Sequence, residues 1–221
     1  MKEIVLDTET TGISVSEGHR IVEIGCIELD NLLPTKKKFH CYLNPERKVS
    51  EKALEIHGYS DEFLSGKKKF YQIAEEFLEF IKDKRLIIHN AEFDLAHLNN
   101  EISLMGNSKI SNEVIDTLVL ARNKFPGSQV SLDALCKRFR IDNSKRTTHT
   151  ALIDCELLVK VYVNLIDQKE PTLDFLKNNS DLKEIDNSKI SYNKKIIKPT
   201  PEEIKQHKDY LKSYLKKNFF N

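Results

Sequence analysis

Three strand-like runs succeed one another within the first 43 residues, over connections too short to hold a crossover helix. Ile4, Val5 and Leu6 lead a run over residues 3–10 that ends in acids. RIVEIGCIEL covers residues 20–29, and a third run covers residues 39–43. A turn region with Gly12 and Gly18 joins the first pair, and a loop at residues 31–38 joins the second. Parallel neighbours need about a dozen or more connecting residues, so an antiparallel meander is expected.

Helical spacing then takes over. Phe70, Ile73, Ala74, Phe77, Leu78 and Ile81 mark one buried face and predict a single helix over 70–81. A compact apolar strand at residues 86–88 is followed by a helix through Phe93, Leu95, Leu98, Ile102 and Met105, with Gly106 as its stop. Another short strand is expected near residues 114–115. Ser131 is placed to cap a helix over SLDALCKRF, and a long helix runs over about residues 151–166. A meander followed by alternating strands and helices predicts an α/β domain: a mixed sheet, three antiparallel strands plus parallel ones, flanked by helices.

Composition divides the chain further. Apolar residues make up 39%, enough for a core and against wholesale disorder. The net charge of +1 argues against a nucleic-acid binder that works by bulk charge. That charge is uneven: residues 168–221 carry 12 Lys against 8 acids, leaving residues 1–167 at −3, and no glycine follows Gly127. Residues 1–167 are therefore expected to form the domain, with a linker over 168–199 rich in Lys, Asn, Ser and Asp. Order should return at Thr200, which with Glu203 forms a capping box around Pro201. Ile204, His207, Leu211, Tyr214, Leu215 and Phe219 then line one face of a helix too short to own a core. Docking on a partner, or back onto the domain, would cover it. Cys26, Cys41, Cys136 and Cys155 form no CxxC pair and predict reduced thiols in a cytoplasmic protein. The acids of MKEIVLDTET argue against a signal peptide, and no 18-residue apolar window predicts a membrane span.

The chemistry is concentrated in three segments. Asp7 and Glu9, two apart at a strand end, share one face about 6.6 Å apart along the chain, with Thr8 pointing away. Two such carboxylates repel unless a cation lies between them, and Mg²⁺ or Mn²⁺ prefers oxygen ligands of this kind. Alone, the pair is also compatible with a solvated strand end. Asp94, in HNAEFD, lies early in a helix, where an acid also favours the helix N-terminus. In HTALID, His149 precedes the long helix and Asp154 lies within it. Five helical residues turn through about 500°, so the two could not share a helix face, and His149 is expected on the loop.

DTETTG, HNAEFD and HTALID, in this order, resemble the three motifs of the DEDDh 3′–5′ exonucleases, over about residues 3–166. GHRIVEIG, FHCYLNP, IHGYSDEFL, SLDALCKRF followed by RIDNSKRT, and DCELLVKVY are similar to the proofreading subunits of bacterial replicative DNA polymerases within that family. The resemblance implies a ribonuclease H-like fold and two divalent metal ions, Mg²⁺ or Mn²⁺, held by Asp7, Glu9, Asp94 and Asp154. It implies that Asp7 bridges both ions, that Glu9 and Asp154 serve the ion holding the attacking water, that Asp94 serves the other, and that His149 is the general base. Asp7, Glu9 and Asp154 would then also lie against the substrate, a DNA 3′ end. His57 matches a position touching the terminal nucleotide. Lys52 is either a phosphate contact or a solvated lysine, and Phe93 either a stacking wedge or core. Thr10 and Gly12 could offer backbone N–H groups to the terminal nucleotide. The resemblance further implies that the C-terminal segment binds the polymerase catalytic subunit, with a small accessory subunit as a further partner. A segment at 171–175, Leu173 to Phe175 included, would either bind the sliding clamp or be an apolar stretch of linker. The competing functions are an RNA 3′–5′ exonuclease of the same family and a non-catalytic structural subunit.

Overall fold

The computed structural model describes residues 2–144, 146, 148–166 and 199–214. The chain divides into two compact units, Met1–Leu173 and Asp174–Asn221. The linker expected over 168–199, with its Leu173–Phe175 segment, lies outside the described residues apart from Pro199.

In the first unit, β1 (Lys2–Thr10), β2 (Ile21–Asp30) and β3 (Leu33–Tyr42) form the expected antiparallel meander. β4 (Arg85–Ile88) and β5 (Val114–Asp116) add parallel strands on the other side of β1, giving the order β3-β2-β1-β4-β5. The strand period of two sorts the apolar residues onto two cores. Ile4 and Leu6 of β1, with Leu86 and Ile88 of β4, face Phe77, Ile81, Leu98 and Ile102. Val5 and Ile87 face the opposite way, toward Leu135, Leu158 and Val161. β1 is buried on both faces, which explains why its apolar residues form a run rather than an alternation.

Eight α-helices are described: α1 (Glu51–His57), α2 (Asp61–Ser65), α3 (Ala74–Ile81), α4 (Ala91–Leu104), α5 (Thr117–Lys124), α6 (Leu132–Phe139), α7 (Ala151–Leu165) and α8 (Pro201–Tyr214). Ser131 caps α6 by accepting from the Ala134 N–H, and Gly106 follows α4 at φ 76°. The predicted helix over 70–81 is divided: a 3-10 turn at Phe70–Gln72 precedes α3, with Ile73 at φ −118° between them. Residues three apart face the same way in both helix types, so Phe70 and Ile73 are buried either way and the apolar spacing does not reveal the break. β3 starts earlier than its apolar residues suggest. Asn31 and Leu32, both at positive φ, make a two-residue turn. The lysine-rich 33–38 stretch can pair because it forms the outer edge of the sheet, where polar side chains are favoured. Helices α1 and α2 are too short for a readable stripe and the apolar residues of α5 do not gather on one face, although Ser50, Ser60 and Asp116 cap them. All four cysteines are free thiols, and no described helix is long and apolar enough to cross a membrane.

In the second unit, the Thr200 hydroxyl accepts from the Glu203 N–H at 3.3 Å, and Glu203 Oε2 accepts from the Thr200 N–H at 2.7 Å. The reciprocal cap starts α8, on which Ile204 and His207 are exposed. The Leu215 and Phe219 positions of the expected stripe lie outside the described residues.

Candidate active site

The alternation that fills the two cores also builds the site. Asp7 and Glu9 continue the Val5 face of β1, where Asp7 pairs with Gly25 and Glu9 with Glu23 on β2. That face is covered by α7, which brings Asp154, so the first and third motifs meet through the sheet. Thr8 points to the other face and meets the second motif. Its N–H and its hydroxyl both donate to Asp94 Oδ1, at 2.9 and 2.7 Å. Sequence reading gave Thr8 no task; its hydroxyl pins the acid of α4 to the strand carrying the other two.

Oxygen and nitrogen donors of Glu9, His149 and Asp154 lie within 4.8 Å of one another. His149 lies on the loop before α7, as its spacing required, with its N–H donating to the Ile56 carbonyl at 3.1 Å. Its Nδ1 is 3.6 Å from Asp154 Oδ2, and the side chain is 44% exposed.

Crowding of carboxylates shows in their protonation. Burial, then Asp94, Glu9 and Asp154, raises the Asp7 pKa well above the carboxylate range. Burial, then Asp154 and Glu23, pushes Glu9 to about 8. Burial pushes Asp94 to about 7, against the lowering effect of the two Thr8 hydrogen bonds. A cation among these groups would remove the repulsion, and an all-carboxylate donor set matches hard divalent ions. The residues therefore fit the metal ions that the motifs imply.

One cation is supplied by the chain, and sequence reading missed it. The Arg146 guanidinium spans Asp154, Asp133 and His149 Nδ1, and its side chain is only 7% exposed. With burial, it lowers the His149 pKa below 6.5. Arg146 sits in the run RIDNSKRT, three residues before His149, and its sequence signals were that proximity and the resemblance of the run, which gave it no role.

Beside the acids lies a cavity of about 390 Å³ lined by Glu9, Thr10, Gly12, Lys52, His57 and Phe93, among others. Of the expected substrate positions, Glu9, Lys52 and His57 line this cavity, while Asp7 and Asp154 do not. His57 is buried; its Nδ1 accepts from the Tyr59 N–H at 3.0 Å, so Nε2 carries the ring proton, and Nε2 has no hydrogen-bond partner. Phe93 is half-buried against the His97 ring, 4.8 Å between centroids, and lines the cavity rather than the core. Lys52 is exposed at the rim. A Cβ on Gly12 would fall 2.3 Å from the His19 ring, so a larger residue there would have to displace that side chain.

The exonuclease family profile matches residues 4–162. The DNA polymerase III subunit epsilon of Rickettsia felis is 47% identical over 224 residues, covering 98% of each chain. That of Escherichia coli strain K12 is 46% identical over 170 residues, covering 73% of this chain and 70% of its own. Among solved structures, exonuclease X in complex with 5′ overhanging duplex DNA is 22% identical with a TM-score of 0.60, covering 75% of this chain and 92% of that one. The nuclease domain of 3′hExo, a DEDDh family member bound to rAMP, is 18% identical with a TM-score of 0.65, covering 76% and 92%. These structures share the ribonuclease H-like exonuclease fold.

Proposed function

This chain belongs to the exonuclease family and, within it, to the epsilon subunits of DNA polymerase III, and from that membership we propose that it is a 3′–5′ DNA exonuclease that proofreads for the replicative polymerase. It removes mispaired 3′-terminal nucleotides by hydrolysis and releases nucleoside 5′-monophosphates. The observation that carries this reading is the convergence of Asp7, Glu9, Asp94, His149 and Asp154, drawn from three separate segments, beside a cavity large enough for a nucleotide.

Asp7, Glu9, Asp94 and Asp154 would hold two divalent ions, Mg²⁺ or Mn²⁺. Bound there, the ions supply charge neutralisation and an acidified water. The chain's own groups do the rest. His149, neutral at physiological pH and exposed at the mouth of the site, accepts the proton of the attacking water once the Arg146 guanidinium releases its Nδ1. Phe93 stacks on the terminal base, His57 closes the cavity wall beside the terminal nucleotide, and Lys52 is placed at the rim for a phosphate. Thr8 keeps Asp94 in register with Asp7 and Glu9.

Residues 1–167 form the catalytic domain, 168–199 the linker and 200–221 the segment that binds the polymerase catalytic subunit. The near full-length likeness to epsilon subunits supports this division over a free-standing RNA exonuclease. The complete set of site residues argues against a purely structural subunit. The test is degradation of a 3′-labelled mispaired DNA primer by the purified chain. Hydrolysis from the 3′ end that requires Mg²⁺ and yields mononucleotides is expected. Endonucleolytic fragments, or activity on RNA alone, would overturn the reading.

A further inference from the structure

Glu23 is a carboxylate with no solvent exposure, in the middle of β2 and opposite Glu9 in the strand register. Its surroundings are not those of a metal ligand. Oε2 accepts from the Tyr59 hydroxyl at 2.8 Å and from the Ala151 N–H at 2.9 Å, and Oε1 lies 2.7 Å from His40 Nε2. Two of these partners, Ala151 and Tyr59, lead to different walls of the site. Ala151 opens α7, and its N–H is one of the donors left over at a helix start. It lies between His149 and Asp154. Tyr59 stacks on His57, 4.8 Å between ring centroids, and gives its N–H to His57 Nδ1. Two residues along β2 on the same face, Gly25 leaves room for the α7 backbone: a Cβ there would lie 2.6 Å from the Ala151 carbonyl carbon. The helix start is thus seated by an absence at Gly25 and held by a hydrogen bond at Glu23.

We propose that Glu23 is a positioning residue that fixes His149 and Asp154 through Ala151, and His57 through Tyr59, from a single buried carboxylate. The inference rests on the exonuclease reading above. A buried acid held by donors on three sides rigidifies each element that supplies one. Because both donors that reach the site share Oε2, geometry rather than charge is what the site requires. Glutamine can supply it: its carbonyl takes the Oε2 place, and its amide faces His40, whose Nε2 accepts in the other tautomer.

The test uses E23Q, E23A and Y59F in the full chain. The readouts are amide hydrogen exchange at Ala151, and kcat and KM on 3′-labelled single-stranded DNA. E23Q should keep both constants near the parent's. E23A should speed exchange at Ala151 and lower kcat by about 10- to 100-fold, the range for lost outer-shell partners. Y59F should raise KM several-fold with kcat little changed, because it releases only the His57 wall. E23A with the parent's kcat and a protected Ala151 amide would overturn the proposal. So would E23Q falling as far as E23A, since charge would then be the active element. Should E23A not fold, E23Q and Y59F decide alone: loss of kcat in the first or an unchanged KM in the second refutes the role. A parent protein without hydrolysis would refute the exonuclease reading instead, and amide exchange would still test the seat of α7.

Discussion

Arg146 grips Asp154 with two parallel hydrogen bonds, Nε to Oδ1 at 2.6 Å and Nη2 to Oδ2 at 2.7 Å. A bidentate guanidinium–carboxylate pair occupies the oxygen atoms that a divalent ion would use. Arg146 therefore competes with metal for Asp154 while shielding the cluster when metal is absent. Arg146→Gln should lower the melting temperature of the metal-free protein and enlarge the rise produced by Mg²⁺. Thermal melts with and without Mg²⁺ check both signs, and an unchanged Mg²⁺ increment would remove Arg146 from the competition.

Asp7 and Asp154 should separate in stability while agreeing in activity. Either change to Ala should cost roughly 10³-fold or more in turnover, because each acid anchors charge at the reacting phosphate. Relief of repulsion suggests that both metal-free variants keep the parent's stability. The Arg146 fork restricts that expectation to Asp7, since Asp154→Ala leaves a buried guanidinium without its strongest partner. Asp7→Ala should melt no lower than the parent, and Asp154→Ala should melt lower.

The pH dependence of stability follows from the same acids. Glu9 titrates at about 8 in the fold against 4.5 ordinarily, and Asp7 and Asp94 are raised too. The folded chain thus holds more protons than the unfolded one between those values, so stability falls as pH rises through that window. The metal-free protein should melt lower at about pH 8.5 than at about pH 5.5, and Mg²⁺ should restore more at the higher pH. Asp7→Asn should flatten the dependence.

His149 titrates in the opposite sense. Burial and Arg146 hold its pKa below 6.5, so its neutral form persists to lower pH than a free imidazole would. The acid limb of kcat/KM should fall below pH 6.5, the ordinary histidine value. His149→Ala should lose about 10²- to 10⁴-fold in kcat at neutral pH. Rate profiles of parent and variant test both statements; parental turnover in the variant would exclude it as the base.

Removing residues 168–221 should leave hydrolysis of short single-stranded DNA nearly unchanged, since every site residue precedes them. Binding to the polymerase catalytic subunit should be lost, together with the gain in rate on primer ends that tethering provides. Ile204→Asp with Leu211→Asp should reproduce the loss of binding. Full affinity of the truncated protein for that subunit would contradict the assignment of the segment.

The meander was legible because short connections leave few ways to pair strands, and the faces of β1 followed from its period of two. Asp7, Glu9, Asp94, His149 and Asp154 were legible because three motifs carry them in a fixed order. The cap at Thr200 was equally local, four residues that satisfy one another. What sequence left hidden was made of pairings over long separations. Thr8 and Asp94 are 86 residues apart, and Glu23 and Ala151 are 128 apart. Within IVEIG, Glu23 has the spacing of a solvent-facing acid, and only the crossing of α7 over Gly25 buries it. Arg146 carried no periodic signal, because a loop residue owes its partners to where the loop lands. Local sequence thus determined the strands, the faces and the acids that must meet. The tertiary structure alone decided which buried hydrogen bonds and counter-charges hold them at working distance, because those depend on the packing of segments far apart along the chain.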